Sequence, residues 1–164
     1  MLAVWLFGGI CVILYSMIYL GSDHAGYDMK SALKECLNEL NQEFVDLGAF
    51  STDSMDYPDI AREVAEKVSE NPGAFGVLVC GTGTGMAITA NKLNGVRAAS
   101  VVNETMAEMA RRHNDANIMT LGSRLIDVET AKKLVKIFIE TPFAAEERHQ
   151  RRVDKITEIE KNRK

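Results

Sequence analysis

Residues 77–86 read VLVCGTGTGM, and the chemistry of the chain starts at Cys80, whose thiol precedes Gly81, Gly83 and Gly85. Glycine this dense weakens a strand or helix, so something is expected to approach the backbone closely there. Three familiar loop patterns do not fit. A P-loop needs G-x-x-x-x-G-K-[ST], but the first lysine after Gly85 is Lys92. A dinucleotide fingerprint needs G-x-G-x-x-G, and here the third glycine comes one residue early; Glu104, after the fourth expected strand, keeps that alternative open. A cysteine phosphatase loop would require arginine where Met86 stands. Two readings remain. One is a bare strand-to-helix turn beside a buried cysteine. The other is a cradle whose amides converge on an oxyanion next to a thiolate. The second suits acyl transfer, or proton abstraction beside a carbonyl.

Other polar groups follow the same logic. Asp23 and His24 close the first expected strand, and ligands of parallel sheets gather at the carboxyl ends of strands. They are therefore expected on the edge that carries Cys80. His113 and Asn114 end a helix that runs antiparallel to the strands, which puts them at the opposite edge. If they act with Cys80, a second subunit must supply them, which predicts a symmetric homodimer with shared sites. Taken alone, His113 suits a helix C-terminus interacting with the dipole. Arg148 and Arg152 share one face near the start of the last helix. Arginine there opposes the dipole unless an anion is present, so the pair reads as a phosphate clamp or as a solvated basic face. The histidines at 24, 113 and 149 and Cys80 lack metal-ligand spacing, so no metal is expected.

These residues need a scaffold, and the pattern supplies one. Strands are expected at 17–22, 44–48, 75–80, 96–102 and 117–122. Helices are expected at 28–41, 59–69, 85–93, 104–113, 128–140 and 145–161, with Asn103 and Asp127 as N-caps. Alternating strands and helices predict a doubly wound α/β domain over 17–164, with helices on both faces of a five-stranded parallel sheet. The 164 residues are 46% hydrophobic and 26% charged, with net charge −4, which argues against a nucleic-acid partner. Cys11, Cys36 and Cys80 form no disulfide pattern, so a reducing compartment is expected. Residues 1–16 are apolar and uncharged, long enough with Met17–Leu20 to suggest a membrane span. A span through Met17–Leu20 would consume the first strand, and no lysine or arginine precedes Lys30 as a signal peptide requires. The leader, residues 1–16, is therefore read as an extension outside the domain, with a membrane anchor or a signal as the alternative.

Together the stretches GSDHAGY (21–27), DYPD (56–59), CGTGTGMAITANK (80–92), RRHNDAN (111–117), LGSR (121–124) and RHQRRV (148–153) resemble the type B ribose-5-phosphate isomerases of the RpiB/LacAB family. The resemblance runs from Met17 to the C-terminus. It implies a Rossmann-like αβα sandwich, a homodimer (or a dimer of dimers) with sites at the interface, a cytoplasmic enzyme and no cofactor. It implies interconversion of ribose 5-phosphate and ribulose 5-phosphate. A six-carbon substrate, allose 6-phosphate or galactose 6-phosphate, and a non-catalytic sugar-phosphate or nucleotide module are the alternatives. By position, Cys80 resembles the base, and Thr82 with the backbone of Gly81, Gly83, Thr84 and Gly85 resembles the enediolate cradle. His113 resembles the ring-opening group. Asp23, His24, Asn114 and Arg124 resemble substrate contacts, and Arg148 and Arg152 the phosphate clamp. Some relatives place a glutamate base later in the loop, where this chain has Met86 and Ala87. The chain departs from the family at Glu146-Glu147, which stand with one apparent extra residue where the family commonly has two glycines, and in the apolar leader before Met17.

Overall fold

The computed structural model describes residues 4–7 and 10–13 as backbone, and residues 16–162 in full. Strands β1 (Val4–Phe7) and β2 (Ile10–Ile13) pair antiparallel; the rest of the apolar leader lies outside the described residues. The main sheet holds β3 (Ile18–Ser22), β4 (Phe44–Asp46), β5 (Phe75–Cys80), β6 (Ala98–Ser100) and β7 (Ile118–Gly122). Its order is β4-β3-β5-β7-β6, with every pair parallel. The helices are α1 (Tyr27–Glu39), α2 (Tyr57–Glu70), α3 (Thr84–Ala90), α4 (Glu104–Asn114), α5 (Val128–Glu140) and α6 (Glu147–Lys161).

The three central strands are buried along their whole length because both faces are covered, and only Ser22 and Thr120 interrupt their apolar and glycine residues. On one face Leu20, Val77, Val79 and Leu121 pack with Leu33 and Leu37 of α1, Ala107 of α4, and Leu134 and Phe138 of α5. On the other, Leu78, Cys80 and Ile118 pack with Ile60 and Val64 of α2 and Met86 and Ala90 of α3. This is the expected three-layer sandwich. The expected N-caps are in place: Asn103 accepts from Met106 N at 2.9 Å and Asp127 from Thr130 N at 2.7 Å.

Element ends differ from the sequence reading where side chains redirect the backbone. β6 covers three residues instead of 96–102. Arg97 N–H goes to Asn117 Oδ1, and the Asn91 amide takes both Ala98 N–H and Ala98 C=O on the open edge. A side chain thus stands in for a missing neighbour strand. α2 starts at Tyr57, two residues early, because Pro58 is tolerated in a first turn. The last helix starts at Glu147 because Ala145, with φ +48, cannot be helical.

The loop from β4 to α2 is held by a buried cation that periodicity does not flag. Lys30, on α1, donates Nζ to Asp46 and to Ala49 O (2.8 Å), with its ammonium over the Phe50 ring. Burial pushes the Lys30 ammonium below its ordinary pKa. Burial alone would raise the Asp46 carboxyl, but Lys30, Lys34 and the Gly48 amide outweigh it and hold it low. Asp46 therefore contributes stability above about pH 4 that is lost as acid protonates it through its depressed value. Asp46→Asn should cost about 3 kcal/mol in urea unfolding, since Lys30 is left buried without its anion. Adding Lys30→Met should recover most of that loss; a double variant as unstable as the single would refute this pairing.

Candidate active site

The parallel register brings three strand ends to one edge. Ser22 of β3 pairs with Val79 of β5, and Cys80 with Gly122 of β7. Just past them lie Asp23, His24, the glycine loop and Arg124. The chain switches winding direction between β3 and β5, where such sheets hold ligands.

Cys80 is buried at the mouth of the loop, and Gly83 N–H donates to its Sγ at 3.1 Å. Two of the three glycines, Gly83 and Gly85, are required by a neighbour within the protein. Gly83 is left-handed (φ +76), and a Cβ there would stand 3.0 Å from the Leu121 backbone. At Gly85 a Cβ would lie 2.6 Å from Tyr57 Cζ, and at Gly81 3.4 Å from the Arg124 guanidinium. Thr82 and Thr84 are exposed on the loop. The loop is tied down from β7: Ser123 N–H donates to Cys80 O (2.9 Å) and Arg124 N–H to Gly81 O (3.1 Å).

Asp23 is buried and caps the short 3₁₀ turn His24–Gly26, accepting from Gly26 N at 3.0 Å. His24 Nδ1 accepts from Met55 N at 3.4 Å, joining it to the loop that Lys30 anchors. Tyr57 opens α2 where that loop ends. The sequence alone gives Tyr57, within DYPD, no role; dense glycine signals a close approach without saying that this ring makes it.

His113, Asn114, Arg148 and Arg152 form a second group, at the amino end of the sheet. Asn114 accepts from Arg97 Nε at 3.1 Å, next to the start of β6. The His113 ring stacks on His149 with centroids 4.2 Å apart and planes 7° from parallel. That stack docks α6 on α4. The four steps of β7 from Ile118 to Gly122 separate this end from Cys80, roughly 13 Å at strand rise. The expected separation of His113 from Cys80 within one copy is thus what the fold shows. Arg124 in the first group and Arg152 in the second make no ion pair among the described residues, whereas Arg148 Nε pairs with Glu146 at 2.9 Å. Among the described residues no cluster of three or more His, Cys, Asp or Glu is arranged to hold a metal.

A family model described as Ribose/Galactose Isomerase matches residues 18–156. The chain belongs to that family. This isomerase is similar to the ribose-5-P isomerase B of Listeria innocua, with 44% identity over 147 residues, 89% of this chain and 99% of that protein. It is similar to the Clostridium thermocellum ribose-5-phosphate isomerase B structure, with 43% identity, TM-score 0.86, and 88% and 97% of the two chains covered. A Mycoplasma genitalium ribose-5-phosphate isomerase B structure with bound ribulose-5-phosphate is 41% identical, with TM-score 0.87, covering 92% of this chain and all of that one. The family model begins at residue 18, at the first strand of the main sheet.

Burial pushes the His149 imidazole below its ordinary pKa, and the facing His113 and Arg148 push the same way against Glu146. The folded isomerase therefore binds this proton less readily than the unfolded chain. Stability present above about pH 6.5 is lost as the pH falls through the lowered His149 value. His149→Phe keeps a stacking ring and should flatten melting temperature against pH between about 6.5 and 5. A slope unchanged in that variant would show that another group is responsible.

Proposed function

We propose that this isomerase interconverts ribose 5-phosphate and ribulose 5-phosphate through an enediolate, at sites shared between two copies of the chain. The observation that carries the reading is the likeness, over 92% of the chain, to a ribose-5-phosphate isomerase B structure holding ribulose-5-phosphate. The reaction needs a base, donors for the developing oxyanion, and an anchor that fixes geometry.

Cys80 is the base. With the sugar open, its thiolate takes the C2 proton and the electrons form the C1=C2 bond. The charge that develops on O1 meets the amides of the 81–85 loop. The O2 proton passes to O1 as the thiol returns its proton to C1, which leaves the ketose. Gly83 N–H donates to Sγ and so fixes where the sulfur sits at the mouth of the loop. Thr82 joins the cradle, and Asp23, His24 and Arg124 line the same edge. His113 protonates the ring oxygen to open the furanose, with Asn114 beside it, and Arg148 and Arg152 hold the phosphate.

The two groups lie at opposite ends of one sheet, so a second copy brings His113, Asn114 and the arginines to the Cys80 edge. The open edge of β6 and the exposed apolar side chains on bordering elements, Ile88, Val102 and Met106, suit that contact. A cytoplasmic location, where the free Cys80 stays reduced, is part of this proposal. No helix among the described residues is long and apolar enough to cross a membrane.

Cys80→Ala should lower kcat at least about 100-fold while ribose 5-phosphate still binds. Retained turnover would refute Cys80 as the base. Mixing inactive Cys80→Ala and His113→Ala proteins after co-refolding should restore about a quarter of wild-type activity, because half of random pairs carry one intact site. Absence of any recovery from folded mixed dimers would place both residues in one copy's site.

A further inference from the structure

The segment before α6 carries a carboxylate that faces the proposed phosphate clamp. Glu146 Oε2 lies 2.9 Å from Arg148 Nε and 3.7 Å from His149 Nε2. Glu146 sits at the N-cap position of α6, yet its side chain makes no capping bond to the helix amides. Its charge is turned to the guanidinium instead. The backbone commits to this placement. Ala145 is left-handed (φ +48), a conformation that L side chains rarely adopt. Ala144 N–H is held by Arg112 O at 3.0 Å, and the Glu146 carbonyl accepts from His149 N–H at 2.8 Å.

An arriving phosphate therefore meets two unlike guanidiniums. Arg152 has no ion pair among the described residues, while Arg148 is occupied by a carboxylate of the same chain. Both partners of the occupied pair are more than half exposed, so the pair is weak and open to exchange. We propose that Glu146 is a specificity-determining residue of the clamp, holding Arg148 until a stronger anion displaces it. A phosphate monoester near neutral pH carries up to two charges and three acceptor oxygens, against one charge on the carboxylate. It can take the fork from Glu146. A ligand whose end is a single carboxylate gains nothing by the exchange. Glu146 thus raises the threshold for weak anions and sets part of the KM for the phosphorylated substrate.

The inference rests on the reading of Arg148 and Arg152 as the phosphate clamp. It is tested by the KM for ribose 5-phosphate and the competitive Ki of inorganic phosphate in wild type, Glu146→Gln, Arg148→Ala and Arg152→Ala. Glutamine keeps the length of the side chain and removes no capping bond. Glu146→Gln should lower KM and Ki together, by about two- to fivefold, the range open to an exposed ion pair. A gain in affinity for both ligands is not what a structural lesion produces. If both arginine variants raise KM while Glu146→Gln leaves KM and Ki unchanged or raises them, the role of Glu146 is refuted and the clamp stands. If neither arginine variant moves KM or Ki, the clamp reading fails and this inference falls with it.

Discussion

A parallel sheet has a direction, and that direction governs everything else in this molecule. Each strand delivers its last residue to one edge, and each returning helix delivers its last residue to the other. Cys80, Asp23 and Arg124 follow strands; His113 and Asn114 close α4, and the arginines lie on α6, which is docked to α4. No adjustment of side-chain rotamers spans five residues of strand. The division of polar groups between two ends is thus a property of the topology, and it makes the two-copy site a geometric requirement of the proposed chemistry.

The amino-end group is held by a knot of charges and rings. Arg111 is buried with its guanidinium 4.7 Å from the Phe75 ring centroid, and it donates to Asp115 Oδ1 and Ala116 O. Burial pushes its pKa down, and Asp115 pulls it back up. Asp115 is left-handed at the end of α4 and also pairs with Arg97. Two arginines on one aspartate fix where α4 stops and β7 begins, and so fix the direction in which His113 and Asn114 leave the helix. The same knot reaches Asn114 directly, since Arg97 Nε donates to its carbonyl.

Much of this was legible in the sequence, because the fold depends on patterns that recur locally. Apolar runs such as FGVLVC mark strands covered on both faces, and the stripes of α2 and α5 mark the helices that cover them. Cys80 was legible because glycine on alternate positions is costly without a purpose. The purpose was only half visible. Gly83 and Gly85 make room for the Leu121 backbone and Tyr57, neighbours that come from distant parts of the chain. Lys30 and Arg111 were invisible for a related reason. Charged residues on a helix read as solvent-facing until the fold supplies Asp46 or two phenylalanine rings. The short β6 depended on Asn91, whose side chain imitates a strand, and no periodicity encodes that.

The turn that follows β7 also sets which way the glycine loop faces. Ser123 and Arg124 draw the carbonyls of Cys80 and Gly81 toward β7. A trans peptide is planar, with its N–H opposed to its C=O. Turning those two carbonyls toward β7 therefore turns the amides of Gly81 and Thr82 away from it. The polarity of the loop is set by a strand some forty residues further along the chain. Were β7 to slip by a single residue, the loop could keep every glycine and still present oxygen where it now presents hydrogen.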